Sequence, residues 1–239
     1  MGLIRGAIPR PGGTWADLGA GDGMFTRALV GLLGPTSRIY AIDRDPGAVA
    51  ALERWATADA ANVIPVVADF THPDLPGFEG SILDGMLFAN ALHFVPDADI
   101  VLARLAAWLR PGGRVVFVEY DRGRASRWVP YPIPAARLPA LAASAGLSTP
   151  AITDTRPSAF GGLLYAAAAD RLAEGTRSTP EDSRRRLRRM GEAPSFTRSV
   201  SSGRGTRVPR ASLVRPAHHG REETLRTPRR KSPSDRSAT

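Results

Sequence analysis

Thr14-Trp15-Ala16-Asp17-Leu18-Gly19-Ala20-Gly21-Asp22-Gly23-Met24-Phe25 reads as a short apolar strand, a tight glycine turn and the start of a helix. Phe25, Ala28, Leu29, Leu32 and Leu33 fall at i, i+3, i+4, i+7 and i+8, the stripe of a helix that faces a core. Glycines at alternate positions let the chain turn sharply and let a ligand lie against bare backbone. Units of this kind open nucleotide-binding α/β sheets, with the ligand over the carboxyl ends of the strands. Two details set this turn apart from a dinucleotide site. The spacing is Gly-x-Gly-x-Gly rather than Gly-x-Gly-x-x-Gly. Asp17 also stands two residues before the first glycine, where a carboxylate opposes a pyrophosphate and welcomes a cation.

Working outward, Gly34-Pro35 stops the helix and Arg38 to Asp43 forms a second strand. Asp43 lies twenty residues past Gly23, a distance that suits an acid holding ribose hydroxyls; the plain alternative is a solvated loop acid. Asp45-Pro46 caps the next helix, whose apolar face is Val49, Leu52 and Ala56. Asn62 to Asp69 is a third strand, and Pro65, which cannot donate to a ladder, predicts that it lies at a sheet edge. Ser81 to Asn90 contains a fourth strand. Asp99 caps a helix with the face Val101, Leu102, Leu105, Trp108 and Leu109, closed by Pro111-Gly112-Gly113. Arg114 to Tyr120 is a nearly continuous apolar strand, as expected of one buried on both faces. Asp121 to Pro134 is an Arg- and aromatic-rich loop above the sheet, and Ala135 to Gly146 a small helix. Ile152 to Thr155 and Leu163 to Ala168 are the closing strands.

Asp17-Leu18-Gly19-Ala20-Gly21-Asp22-Gly23, Asp43, Asp69 and the Pro111-Gly112-Gly113 lead into a strand together resemble small class I S-adenosylmethionine (SAM)-dependent methyltransferases over roughly residues 3–169. The resemblance implies an α/β fold: a Rossmann-like doubly wound sheet of about seven strands, mostly parallel with an antiparallel last strand, and helices on both faces. It also implies roles. Gly19, Gly21 and Gly23 would let the methionine part of SAM lie against the turn, and Asp17 would face its ammonium. Asp43 would hold both ribose hydroxyls, with Arg44 along the adenine. Asp69 and Phe70 would frame the adenine, a helix or turn cap being the other reading of Asp69. Asn90 would touch the methionine end and face the acceptor. Substrate choice in this family resides in inserted loops and added helices, of which this chain has almost none.

The chemistry so implied is in-line displacement at the sulfonium methyl group, for which a protein mostly supplies proximity. A base is needed only where the acceptor loses a proton; His93 has the suitable pKa range, and its plain reading is a half-buried loop histidine. Glu119, Tyr120, Trp128 and Tyr131 lie where an acceptor would approach, and Trp128 and Tyr131 serve equally as a cover for the sheet top. No Asn/Asp-Pro-Pro-Tyr/Phe motif follows the fourth strand, which argues against an amino-group methyltransferase acting on DNA adenine.

Composition divides the chain. Residues 1–169 carry 14 arginines against 15 acids, a net of −1; residues 170–239 carry 17 arginines and one lysine against 8 acids, a net of +10. The expected organisation is a methyltransferase domain over 1–170 and an Arg/Ser/Pro-rich tail over 171–239. The tail is too poor in apolar residues to offset its ordering entropy and is read as disordered, with Arg184 to Arg189 as one or two basic helical turns. The chain has no cysteine, so disulfides and thiolate metal sites are excluded and no metal is expected. No apolar run spans a bilayer and no signal peptide is read at the N-terminus, so a cytoplasmic protein is expected. The leading reading is a methyltransferase acting on a small molecule. The second is a nucleic-acid-binding or nucleic-acid-modifying protein that uses its cationic tail, and the third a nicotinamide-dependent Rossmann protein. A tail without a selected role is a further reading, since out-of-frame translation of a high-GC gene gives a similar composition.

Overall fold

The computed structural model describes residues 2–59, 61–72, 82–158 and 161–173. The tail expected from 171 onward lies almost wholly outside the described residues, as do its basic helical turns. Within them the order is β1 (Gly13–Leu18), α1 (Met24–Leu33), β2 (Ser37–Asp43), α2 (Pro46–Ala58), β3 (Val63–Val67) and β4 (Leu83–Ala89). Then follow α3 (Ala98–Ala106), β5 (Leu109–Asp121), α4 (Leu138–Ser144), β6 (Ala151–Pro157) and β7 (Leu163–Asp170). The strands form one sheet in the order β3-β2-β1-β4-β5-β7-β6. Every pairing from β3 through β5 is parallel, and β7 runs antiparallel to both its neighbours. This is the doubly wound sheet expected, with its single reversed strand.

Local chemistry sets the element boundaries. Asp45 accepts the Gly47 N–H at 2.8 Å and Pro46 opens α2 with its φ already fixed. Gly34 ends α1 by donating its N–H to the Val30 carbonyl. Pro65 lies opposite Ala41 on β3, which has β2 as its one neighbour in the sheet. On the other rim, the β6–β7 ladder slips between Ile152 and Asp154.

The Pro111-Gly112-Gly113 segment corrects one expectation. It does not close a helix that runs to Leu109. Helix α3 ends at Ala106, and Leu109 already pairs with Leu83 as the first residue of β5. The three residues lie inside β5, where the ladder to β4 shifts between Leu83 and Gly85. Gly112 absorbs that irregularity at φ 73°, its N–H donating to the Arg171 carbonyl.

Alternation along the central strands sends side chains to two layers. Leu18, Ile42, Met86, Phe88, Val115 and Phe117 meet Leu102 and Leu105 of α3 and Leu138 and Leu141 of α4. Trp15, Ile39, Leu87, Val116 and Val118 meet Leu29 and Leu33 of α1 and the N-terminal Ile4. Leu52 of α2 packs on Ala20 and Ala41 beside them. Both layers lie below the carboxyl ends of β1 to β4, so those ends are held rigidly from either side.

Candidate functional site

A cleft of about 530 Å³ opens over those carboxyl ends, a size typical of small-molecule sites. Gly19 forms its floor where the chain leaves β1. The N–H groups of Gly19 and Ala20 both donate to the Ile42 carbonyl, which pins the turn to β2. Gly19 has φ 83°, and a Cβ there would lie 2.7 Å from that of Ala91. Gly21 has φ 54°, and a Cβ on it would meet nothing within 4 Å, so bare backbone faces open space. Gly23 stands at the head of α1 in the left-handed region.

Asp43, at the tip of β2, fastens the turn from the other side. One carboxylate oxygen accepts the Gly21 N–H at 2.7 Å and the other the Asp45 N–H at 2.9 Å. Each oxygen keeps a lone pair for a further donor. Arg44 is exposed on the cleft rim beside it. Asp69 follows β3, and Thr71 donates both its N–H (2.9 Å) and its hydroxyl (2.7 Å) to one oxygen of that carboxylate. Burial alone would raise the Asp69 pKa, but the two Thr71 bonds, with His72 and Arg44 nearby, hold it below its ordinary value. The cap reading and the cleft position of Asp69 therefore coexist, because its second oxygen makes neither of these bonds.

Phe70 is buried against the cleft with its ring edge-on to Phe88 at 5.9 Å. Arg104 of α3 donates to the Phe70 carbonyl at 2.7 Å and to the Thr71 carbonyl at 3.1 Å. Opposite, the 3₁₀ turn Leu92–Phe94 and the residues after it supply Phe94, Val95 and Pro96 as an apolar wall. Asn90, between β4 and that turn, has φ 54°, the one non-glycine residue at positive φ among the described residues. Its N–H donates to the Val118 carbonyl, and its Oδ1 is buried without a partner.

Asp17 lies beneath the glycine turn, fully buried. Thr26 donates its hydroxyl to Oδ2 at 2.7 Å, and Oδ1 has no partner. Burial pushes the Asp17 pKa up to about 7, the Thr26 bond pulling against this and the Asp43 charge adding to it.

The structure thus gathers Gly19, Asp43, Arg44, Asp69, Phe70 and Asn90 around one cleft, with Gly21 and Gly23 in the turn beside it and Asp17 buried on β1 beneath that turn. The residues expected to meet an acceptor are placed differently. His93 is buried, and its Nδ1 lies 2.5 Å from Oε2 of the equally buried Glu119. Burial raises the Glu119 pKa against the opposing pull of His93. Neither residue faces the cleft directly, although His93 sits between its lining residues Ala91 and Phe94. Glu119 is turned inward because its place on β5 brings it level with the start of the 3₁₀ turn. Tyr120 has its ring 5.8 Å from that of His93. Trp128 and Tyr131 stand exposed on the loop after β5, 70% and 43% accessible. Thr26, Thr71 and Arg104 went unnoticed in the sequence. Thr71, two residues after an Asp, carries a recognisable turn signal; the other two depend on packing between elements. Among the described residues no group of three or more His, Asp or Glu could hold a metal ion. None of their helices is long and apolar enough to cross a membrane.

Comparison with known proteins finds likenesses to methyltransferases. A family described as a methyltransferase domain matches residues 16–117. A ribosomal RNA small subunit methyltransferase H from Verminephrobacter eiseniae is 44% identical over 56 residues, 23% of this chain and 17% of that protein. A ubiquinone/menaquinone biosynthesis C-methyltransferase from Burkholderia mallei is 29% identical over 119 residues, 50% of this chain and 48% of that protein. The chain thus spans less than half the length of these curated relatives. Among solved structures, a SAM-dependent methyltransferase from Aquifex aeolicus superposes with a TM-score of 0.57 over 71% of this chain and 88% of that one, at 16% identity, a likeness of fold. The 1,6-didemethyltoxoflavin-N1-methyltransferase of Burkholderia thailandensis, solved with bound 1,6-didemethyltoxoflavin and S-adenosylhomocysteine, gives a TM-score of 0.53 at 25% identity, over 69% and 72% of the two chains.

Proposed function

We propose that this chain is a class I SAM-dependent methyltransferase that binds SAM in the acid-lined cleft and moves its methyl group to a small-molecule acceptor. The observation that carries the reading is the set of unsatisfied acceptors around a bare glycine turn. Asp17 Oδ1 and Asn90 Oδ1 are buried with no donor, and buried acceptors of this kind call for one. A ligand with an ammonium group supplies it, and a pyrophosphate does not. Asp43 offers its remaining lone pairs to the ribose hydroxyls. The free oxygen of Asp69 serves the adenine amino group, and Phe70 and Arg44 flank the ring. When bound, SAM supplies an electrophilic methyl carbon on a good leaving group, so the residues here mainly orient and exclude water. His93 is buried against Glu119 and does not line the cleft, so we read it as holding the 3₁₀ turn in place and not as a base for the acceptor. A cytoplasmic setting is part of this reading, and a cysteine-free chain fits it without requiring it.

Calorimetry tests the reading. S-adenosylhomocysteine should bind in the micromolar range, about −8 kcal/mol at 1 μM, and NAD should not bind. Tight NAD binding without S-adenosylhomocysteine would overturn it. Partial matches to ribosomal RNA methyltransferases make RNA the second acceptor class, separated by offering tritiated SAM with ribosomal RNA and with a small-molecule panel.

A further inference from the structure

The loop after β5 is built differently from the rest of the cleft's surroundings. It leaves the same carboxyl edge of the sheet as the cofactor cleft, and the Tyr131 N–H ties it to the His93 carbonyl at 2.9 Å, next to the apolar wall at Phe94. A bridge between Ser126 and Val129 closes its tip. Arg122, Arg124 and Arg127 stand on it, and none lies within ion-pair distance of a carboxylate among the described residues. Arg122 donates to the Arg124 carbonyl at 3.0 Å, which holds the first two together. The Arg127 guanidinium lies over the Trp128 ring, 4.8 Å from its centroid. Asp121, the last residue of β5 at the loop's base, accepts the Ala135 N–H at 3.0 Å. The result is a local excess of positive charge on a body whose net charge is near zero, beside aromatic faces left open at Phe94, Trp128 and Tyr131.

Resting on the methyltransferase reading, we propose that this loop is the acceptor site, and that the acceptor is a small aromatic anion. Its carboxylate is met by Arg122, Arg124 and Arg127, and its ring by Trp128 and Tyr131. Guanidinium forks pair carboxylates bidentately, and a flat ring joins an existing Arg–Trp stack without reordering it. A polyanion fits less well. Asp43, Asp69 and Asp97 line the adjoining cleft, so a long phosphate backbone entering it meets repulsion, whereas one terminal anion can stay on the loop while its ring reaches inward.

The test uses the full chain, with and without saturating S-adenosylhomocysteine. The probes are naphthalene-2-carboxylate and benzoate, each against its carboxamide, with binding read by calorimetry and by quenching of Trp128 fluorescence (Trp128→Leu as control). At least one carboxylate should bind tenfold or more tightly than its amide. The R122Q/R124Q/R127Q variant should erase that advantage while leaving S-adenosylhomocysteine affinity unchanged. Equal binding of acid and amide, or no carboxylate binding, overturns the loop assignment. So does a single-stranded RNA oligomer that binds more tightly than the carboxylates and is lost in the triple variant. If S-adenosylhomocysteine binds but the carboxylates do not, the loop inference falls alone; if S-adenosylhomocysteine fails to bind, the cofactor reading falls, and the carboxylate titration without it still decides the loop.

Discussion

Asp17 is a carboxyl sealed beneath a glycine turn, and its setting makes a sign-definite prediction. Its folded pKa, raised to about 7 by burial, lies above the unfolded value near 4. The native state therefore holds a proton that the unfolded chain has lost. The stability this group contributes is fully present below about pH 4 and is lost as pH rises through about 7. Binding runs the other way. A ligand ammonium favours the ionised carboxylate, so S-adenosylhomocysteine affinity should rise roughly tenfold between pH 6 and 8. Methylthioadenosine, which lacks the amino acid, should show no such slope, and Asp17→Asn should flatten the slope for S-adenosylhomocysteine. Calorimetry across that range checks all three; a slope surviving Asp17→Asn would place the titrating group elsewhere. The acids of this site are readable in sequence because each stands within two residues of a strand's carboxyl end, before a turn. The His93–Glu119 contact is not, because 26 residues separate the partners and only the register between β4 and β5 brings them level.

Helix α3 does more than cover the sheet. Arg104 reaches from it to two successive carbonyls of the segment after β3, tying one wall of the cleft to the core. Arg104→Met removes two hydrogen bonds from a charged donor, about 1.5–3 kcal/mol each at the upper end of such effects. It should weaken S-adenosylhomocysteine at least fivefold and adenosine by the same factor, since the segment it anchors carries Asp69 and Phe70. An adenosine affinity that stays constant would show that the wall holds without it. The elements themselves were largely legible: the stripe of α1, the Asp-Pro cap of α2, and the proline that puts β3 at the rim. The end of α3 was not. Trp108 and Leu109 continue the helical spacing, but pairing of Leu109 with Leu83 outweighs the local pattern, and a Pro-Gly-Gly sequence that signals a turn becomes an irregular stretch of strand.

For the whole molecule, the described body continues past the last strand. Arg171 exchanges backbone hydrogen bonds with Gly112 and Gly113, and Leu172 donates to the Gly146 carbonyl. A chain ended after Ala173 should therefore melt cooperatively and bind S-adenosylhomocysteine as the full chain does. It should also lose most retention on heparin, because the net positive charge resides almost entirely beyond that point. Unchanged heparin retention would assign the polyanion contact to the body, and loss of the cooperative melt would make the tail part of the fold. The two rims of the sheet have a consequence for life at high concentration. A bare outermost strand is a template on which a stranger's strand can be laid down, copy after copy. One rim here is interrupted by the ring of Pro65 and the other by the slip at Ile152, so neither presents an unbroken row of donors and acceptors. An open sheet thereby gains some of the resistance to amyloid-like growth that a closed barrel has by construction.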